Sequence, residues 1–362
     1  MKTPVAVPMN IHEASRSYEA WLGRHTSLVR TDLQLKHARM RESPFVFLRA
    51  TFYRWVQCWP DVCPRLLDAP RVLAVGDLHV ENFGTWRDHE GRLIWGVNDV
   101  DEVCVLPYTQ DLVRLAASAL LAIRTGAFAV SEREACAAIL KGYTASLARG
   151  GGPLVLEEAH PWLREIALNK LRDPAAFWTK LTGLRTATGQ IPHDALRALF
   201  PERGIPYRVV RRVAGAGSLG RPRFVALAEW RGGLVAREAK ALVPSASVWV
   251  RGQSSTRSQG ATLLGRAVRA PEPYFGICGA WIVRRLAPDC TRIELVTLPK
   301  ERDELKLLHA MGWETANLHL GTAREPILRD LKRRPGRWLA RGATDMMSVL
   351  TRDWRDWRRR DG

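Results

Sequence analysis

A chain of 362 residues with 46% apolar content can bury one large core or two modest ones, which excludes a disordered segment and a small disulfide scaffold. Lysine and arginine total 55 against 37 acidic residues, a formal charge of +18, and 46 of the basic residues are arginines spread from Arg16 to Arg360 without a dominating block. So diffuse an excess points to anions in general, nucleotides and acidic surfaces among them; nucleic acid is compatible with it but not favoured.

The N-terminus carries Lys2 but no apolar core of signal-peptide length ahead of Asn10 and His12. Residues 11–58 read as helical, interrupted at Ser43-Pro44. Arg71–Val75 is a short apolar strand that runs directly into GDLHVENFG, and FGTW, the turn-forming RDHEG and RLIWGV then read as a β-hairpin. Beyond NDVDE and Pro107, helices fill Asp111 to about Arg149. Their most apolar stretch, Leu112–Val130, contains Arg114 and Arg124 and so lacks the ~20 uninterrupted apolar residues that span a membrane. Gly150–Pro153 marks a loop. From Ile205 the runs PYRVVRRV, RFVALAEW and LVAREAKALV, separated by GAGSLG and Gly232-Gly233, predict a three-stranded antiparallel meander, extended by strands near Tyr274–Cys278 and Trp281–Leu286. From Glu301 the chain is helical again and ends in the Arg- and Trp-rich RDWRDWRRRDG. Cys58, Cys63, Cys104, Cys136, Cys278 and Cys290 form no CxxC pair and no zinc spacing, so a reduced, cytoplasmic protein is expected.

The chemistry concentrates at Gly76–Asn82, a loop at the end of a strand, where polar side chains stand exposed on a rigid support. Asp77 and Asn82 are five apart, the spacing of the Asp and Asn in the protein-kinase catalytic loop, where the Asp receives the proton of the attacking hydroxyl and the Asn holds magnesium. If the turn RDHEG is centred near His89, paired residues sum to about 179 and Asn82 falls opposite Val97, with Asp99 and Asp101 beside it. Two carboxylates and an amide oxygen suit Mg²⁺, whose remaining positions phosphate oxygens and water would fill. The plainer alternative has these acids capping helices or pairing with arginines. His79 is a candidate base or ligand but equally a residue that holds the loop. Asp111 is expected to cap its own helix or to hydrogen-bond the loop backbone.

Gly215-Ala216-Gly217-Ser218-Leu219-Gly220 is a G-x-G-x-x-G. Pro222 and a β-rich run follow it where a dinucleotide site needs a helix, so it reads as a turn between antiparallel strands whose Gly215, Gly217, Ser218 and Gly220 bring backbone N–H groups to phosphates. Lys240 lies on the following strand, where kinases place a lysine that pairs with nucleotide phosphates; a lysine that protects a sheet edge is the alternative.

The glycine turn and lysine follow the loop here, whereas in kinases they precede it. A circular permutation reconciles the order, and WETANLH (Trp313–His319) resembles the helix that precedes the catalytic loop in aminoglycoside-type kinases. SPFVFLR (Ser43–Arg49), GDLHVENFG (Gly76–Gly84), NDVDE (Asn98–Glu102), PYTQDLVRL (Pro107–Leu115) and GAGSLGRPR (Gly215–Arg223) together resemble the bacterial domain-of-unknown-function family 2252 (DUF2252) over most of the chain. That family typically has Phe where this chain has Val100, and it is grouped with kinase-like proteins by its motifs, its substrate not established. The resemblance implies an α+β, two-lobed, kinase-like fold, circularly permuted: residues 1–200 a mainly helical lobe with the catalytic-loop and metal-binding motifs, 201–300 a β-rich lobe covering the nucleotide, and 301–362 a helical return with a basic tail. The expected activity is an ATP- and Mg²⁺-dependent phosphotransferase, with Asp77, His79 and Asp111 catalytic, Asn82, Asp99 and Asp101 on the metal, and an acceptor that is a small molecule or protein. The alternatives are a metallophosphoesterase and a non-catalytic module binding nucleic acid or protein. One departure from kinases stands out: no acid occurs from Ala241 to Pro271 to pair with Lys240, leaving Glu238 and Glu272 as its nearest acids in sequence.

Overall fold

Local capping sets the N-terminal helices. In the computed structural model, which describes residues 9–168, 173–254, 258–295, 298 and 303–359, α1 (Ile11–Leu22) opens on a capping box between Asn10 and Glu13. α2 (Arg30–Glu42) ends at Ser43, whose hydroxyl caps α3 (Pro44–Ala50), and Pro44 occupies the first turn, where a missing N–H costs nothing. α4 (Phe52–Val62) follows. The break at Ser43-Pro44 falls where the sequence places it. A second break, at 23–29, has only Gly23 to announce it.

β1 (Arg71–Ala74) carries the chain to the Gly76–Asn82 loop, and β2 (Phe83–Arg87) with β3 (Leu93–Val97) forms the expected hairpin. Its register is one residue off the expected one: Phe83, not Asn82, faces Val97. The cause is the turn, where Asp88 Oδ1 accepts the amides of Glu90 and Arg92, so the bend centres on Glu90. Two further strands escape sequence reading because they are too short to alternate. β4 (Cys104–Pro107) pairs with β1, and β5 (Leu154–Val155) extends the hairpin. Between them lie α5 (Tyr108–Arg124) and α6 (Glu132–Arg149), the latter opened by a Ser131/Glu134 capping box. α7 (Pro161–Leu168), α8 (Pro174–Thr182) and α9 (His193–Arg197) complete this part.

β6 (Tyr207–Arg211), β7 (Arg223–Trp230), β8 (Gly233–Ala241), β9 (Phe275–Cys278) and β10 (Trp281–Leu286) form one antiparallel sheet in the order β6-β7-β8-β10-β9, the meander with both expected additions. Successive residues alternate faces: Val209, Phe224, Ala239 and Val283 pack with Leu196 of α9, while Val210, Val225, Ala236 and Leu286 pack with Leu181 of α8. Two short helices, α10 (Ala246–Val250) and α11 (Gly260–Arg266), interrupt the run between β8 and β9. The architecture is α+β, with the large core in the helical part, one smaller cluster on each face of the five-stranded sheet and a third on the β2–β3–β5 sheet.

α12 (Glu304–Arg333) kinks at Ala323, just before Pro326, and α13 (Trp338–Arg359) closes the chain. Glu301, where the sequence begins this helical region, and residues 360–362 of the tail lie outside the described residues. The described tail packs inward. Trp354 Nε1 donates to the carbonyl of Met40 at 3.1 Å, Trp357 Nε1 to that of His37 at 3.3 Å, and Asp353 pairs with Arg54 at 2.7 Å. Among the described residues no helix is long and apolar enough to cross a membrane.

α12 runs back along α6 at glycine distance. A Cβ at Gly142 would collide with the carbonyl of His309, and one at Gly312 with the carbonyl of Ile139. Gly312→Ala is therefore expected to destabilise the protein by about 2–3 kcal/mol through overpacking against backbone that cannot yield. The urea midpoint reads this; a midpoint unchanged from wild type would show that the two helices can part without cost.

Candidate active site

The Gly76–Asn82 loop is held by a carboxylate with no exposure at all. Asp111 Oδ2 accepts the amide of Val75 at 2.7 Å, Oδ1 that of Gly76 at 2.9 Å, and His319 Nε2 of α12 stands 3.0 Å from Oδ2. His319 Nδ1 meets the Tyr143 hydroxyl of α6 at 2.8 Å. Asp111 lies inside the first turn of α5 and caps nothing there, because its carboxyl is turned to the loop backbone. Of the two roles the sequence allows it, the loop-holding one is the one its contacts match, and it does not line the crevice described below. Gly76 itself adopts φ +81°, and a Cβ there would press on the carbonyl of Glu102.

Asp77 points out of this loop. Arg114, fully buried in α5, donates from Nε to Asp77 Oδ1 at 2.9 Å and again from its terminal nitrogen, and from the same nitrogen to the carbonyl of Leu48 at 2.8 Å. Its guanidinium sits over Phe52 and Trp55, 5.0 and 4.9 Å from the ring centres. Burial pushes the Asp77 carboxyl up from its ordinary value, against the pull of Arg114. Oδ2 takes no part in this pairing.

Asn82 ties the loop to the strand after the hairpin. Its Nδ2 donates to the carbonyls of Asp77 at 3.0 Å and Asp99 at 3.1 Å, and its Oδ1 accepts the amide of Asp99 at 2.8 Å. Asp99 and Asp101 are thereby set beside Lys240, which is 141 residues away in sequence from Asp99. Lys240 Nζ lies 3.2 and 3.3 Å from the two Asp99 oxygens and is ion-paired with Asp101. Strand β8 is central in its sheet, so Lys240 protects no edge. Glu238, the acid on the same strand face, is gripped by Arg212 and by Arg223 at 3.0 Å and leaves the lysine to the two aspartates. Burial opposes the charge of Asp99, but Lys240 and Arg292 outweigh it and hold that carboxyl well below the usual range; burial and the charge of Asp99 push Asp101 up to about 6.

The G-x-G-x-x-G closes over this cluster. Gly215 and Gly220 have φ of +78° and +95°, which only glycine adopts cheaply. A Cβ on Gly217 would meet the carbonyl of Arg49 at 2.7 Å and lie 3.5 Å from Asp77 Oδ2. The turn is pinned at its far end, where Gly220 accepts the amide of Val29 at 2.8 Å. Ser218 Oγ is taken by Arg223 at 2.7 Å. Asp77, His79, Asn82, Asp99, Asp101, Gly215, Gly217 and Ser218 all line one crevice, while Lys240 lines the small pocket that adjoins it on Asp99 and Asp101. His79 is buried, with Nδ1 unpartnered, and burial together with Arg49, Arg114 and Arg292 holds its ring well below the usual range, hence neutral.

For a divalent ion the donor set is oxygen only. Among the described residues no group of three or more His, Cys, Asp or Glu is placed to hold a metal, so Asp99 and Asp101 with the amide oxygen of Asn82 would supply the protein's share, and phosphate and water the rest. That is the pattern Mg²⁺ accepts, and the ammonium of Lys240 already shows that the two carboxylates take a cation between them.

Residues 28–176 match the model of a bacterial family described as "Uncharacterized protein conserved in bacteria" (DUF2252). Over this stretch the chain is similar to that family. No curated protein and no solved structure gave a match. The matched stretch contains Asp77, Asn82, Asp99, Asp101 and Asp111 and ends before the glycine turn and Lys240, which are joined to it here by contact alone.

Sequence reading misses Arg49, Glu81, Arg221, Arg292 and Lys36 in the crevice wall, because isolated charges on helices and loops carry no spacing signal. Lys36 is buried, and burial lowers it to about 8 against the opposing pull of Glu19. Unfolded, it titrates near 10.5, so between about pH 8 and 10.5 the unfolded chain binds more protons and stability rises with pH. Urea unfolding should show wild type gaining on the order of 2 kcal/mol relative to Lys36→Met as pH is raised through that window. A difference that stays flat would mean the ammonium is not held at a cost.

Proposed function

We propose that the chain is an ATP- and Mg²⁺-dependent phosphotransferase of kinase-like type, two-lobed and circularly permuted, working in the cytoplasm. The observation that carries this reading is the meeting of Lys240 with Asp99 and Asp101, across 141 residues of sequence for the first pair, beneath a glycine turn that reaches Asp77. In kinase-type phosphoryl transfer the same groups recur: a glycine-rich cover, a lysine on the nucleotide phosphates, a metal-binding aspartate, and an aspartate with an asparagine five residues on.

The roles follow from the contacts. Arg114 fixes Asp77 through Oδ1, which leaves Oδ2 to accept the proton of an acceptor hydroxyl. As that oxygen bonds to the γ-phosphorus, the bond to the β,γ-bridging oxygen breaks and ADP leaves. Asp99, Asp101 and Asn82 would hold the magnesium ion, which neutralises charge on the phosphate oxygens when bound. Lys240 is the phosphate clamp, and Asp111 is a positioning residue that holds the loop and touches no substrate. Neutral His79 lines the crevice as a hydrogen-bonding group. The crevice has a cavity volume of about 50 Å³, room for water but not for a nucleotide, so the Gly215–Gly220 turn lifts from Arg49 and Val29 to admit ATP.

Mg²⁺–ATP is expected to raise the thermal midpoint and to give calorimetric heat, both lost in Asp99→Ala. Asp77→Asn should keep the binding and lower ATP turnover by about 10²–10⁴-fold. Absence of any shift or heat with the wild-type chain would sink the reading, as would an Asp99→Ala variant that binds as wild type does.

A further inference from the structure

A second cavity, of about 290 Å³, adjoins the crevice, and Arg49, Glu81, Gly215 and Arg292 line both. Its described lining holds seven arginines and four glutamates. Three of the four acids are turned into the protein, and Glu294 is exposed. Glu238 is 4% exposed beneath Arg212 at 27%, and its two oxygens are taken by Arg212 and Arg223. Glu81 pairs with Arg49 through one oxygen and accepts the amide of Leu295 at 2.9 Å through the other. Glu272 sits 3.6 Å from Arg284. The guanidinium groups are less committed: Arg49 and Arg284 each keep a buried Nε–H with no acceptor, and an arginine carries five donors in a fork that matches phosphate geometry. Arg285, over the Tyr274 ring and 3.6 Å from Asp289, stands at 29% exposure. Arg292 stands 3.5 Å from Asp99 at 29% exposure.

Position separates this cavity from the reacting phosphates. Asp77, Asp99, Asp101 and Lys240 are absent from its lining, and it meets the metal-binding acids only through Arg292, 3.5 Å from Asp99. It is joined to the crevice through Arg49 and Arg292, which also line the wall around Asp77. At about 290 Å³ it has room for a phosphate and a short carbon skeleton, and not for a folded protein surface.

Resting on the kinase-like reading above, we propose that this arginine-lined cavity binds a phosphate group already carried by the acceptor, so that the substrate is a small phosphomonoester with a free hydroxyl directed to Asp77. The cavity makes the acceptor's phosphate the anchor and the crevice makes its hydroxyl the nucleophile. The surplus of arginine over glutamate in the lining is what selects a dianion over a neutral polyol.

Inorganic phosphate is the probe, titrated calorimetrically into the full-length chain with and without a saturating non-hydrolysable Mg²⁺–ATP analogue. Saturable binding is expected in both cases, weakened about tenfold in Arg212→Gln/Arg285→Gln, and kept within about twofold in Lys240→Gln. If the double variant does not fold, Arg285→Gln alone is read, with a loss of about threefold expected. No saturable binding to wild type, or variants that bind as tightly as wild type, overturns the proposal. Loss of phosphate binding in the presence of the analogue also overturns it, and assigns the cavity to the nucleotide's own phosphates. Phosphate binding without any binding of Mg²⁺–ATP would leave the anion site standing and remove the kinase reading.

Discussion

One buried carboxylate ties two helices to the loop that lines the crevice. Asp111 is on α5, the amides it accepts belong to Val75 and Gly76 at the mouth of the loop, and the histidine it meets is on α12. A carboxylate with no solvent contact is costly unless its oxygens are filled, and here two amides and an imidazole fill them. The arrangement therefore works in one direction only: helix, loop and returning helix must all be in place before the charge is satisfied. Gly142 and Gly312 serve the same end, since α12 reaches His319 into position only by lying against the backbone of α6.

The crevice is built on the same economy of charge. Asp77 is answered by Arg114, Asp101 by Lys240 and Arg221, Glu102 by Arg221 and the amide of Ala246, and Glu81 by Arg49. Removing one member of such a buried pair strands the other, which is worse than never having either. A site of this kind is rigid where its pairs are complete. It is open to exchange where one cation is shared between two acids, as Lys240 is between Asp99 and Asp101. On the proposed reading that is where a divalent cation and nucleotide phosphates enter, with Lys240 passing from carboxylate to phosphate.

What the sequence made legible followed from periodicity and turn chemistry. Alternation in PYRVVRRV, RFVALAEW and LVAREAKAL marks the strands, and glycine marks the turns between them. The hairpin is equally readable, but its register is not, because the Asp88 side chain decides where the turn centres. β4 and β5 are two to four residues long and offer no period to detect. Within the site, Asp77, Asn82, Asp99 and Lys240 stand in recognisable motifs. Arg114 reads as a charge interrupting an apolar helix, although it is the partner that orients Asp77. The Asp111–His319 contact spans 208 residues and has no local trace. Residues whose role is to hold other residues are set by three-dimensional complementarity, which leaves no spacing rule in the chain.

Element order matters less to such a site than which surfaces the elements present. The family match stops at residue 176, yet Gly217 of the glycine turn and Lys240 of β8 come from beyond it, and His319, which meets Asp111, from α12 beyond that. Each is delivered by an element whose own packing is local: Lys240 by a central strand with neighbours on both sides, His319 by a helix fitted to α6 through glycines. Because the delivery is by rigid elements and not by the connections between them, cutting and rejoining the chain elsewhere would leave the same side chains facing one another. This is the physical sense in which a permuted order is compatible with kinase-like chemistry, and it puts the burden of the fold on the α6–α12 and β7–β8–β10 contacts and leaves little to the order in which they are synthesised.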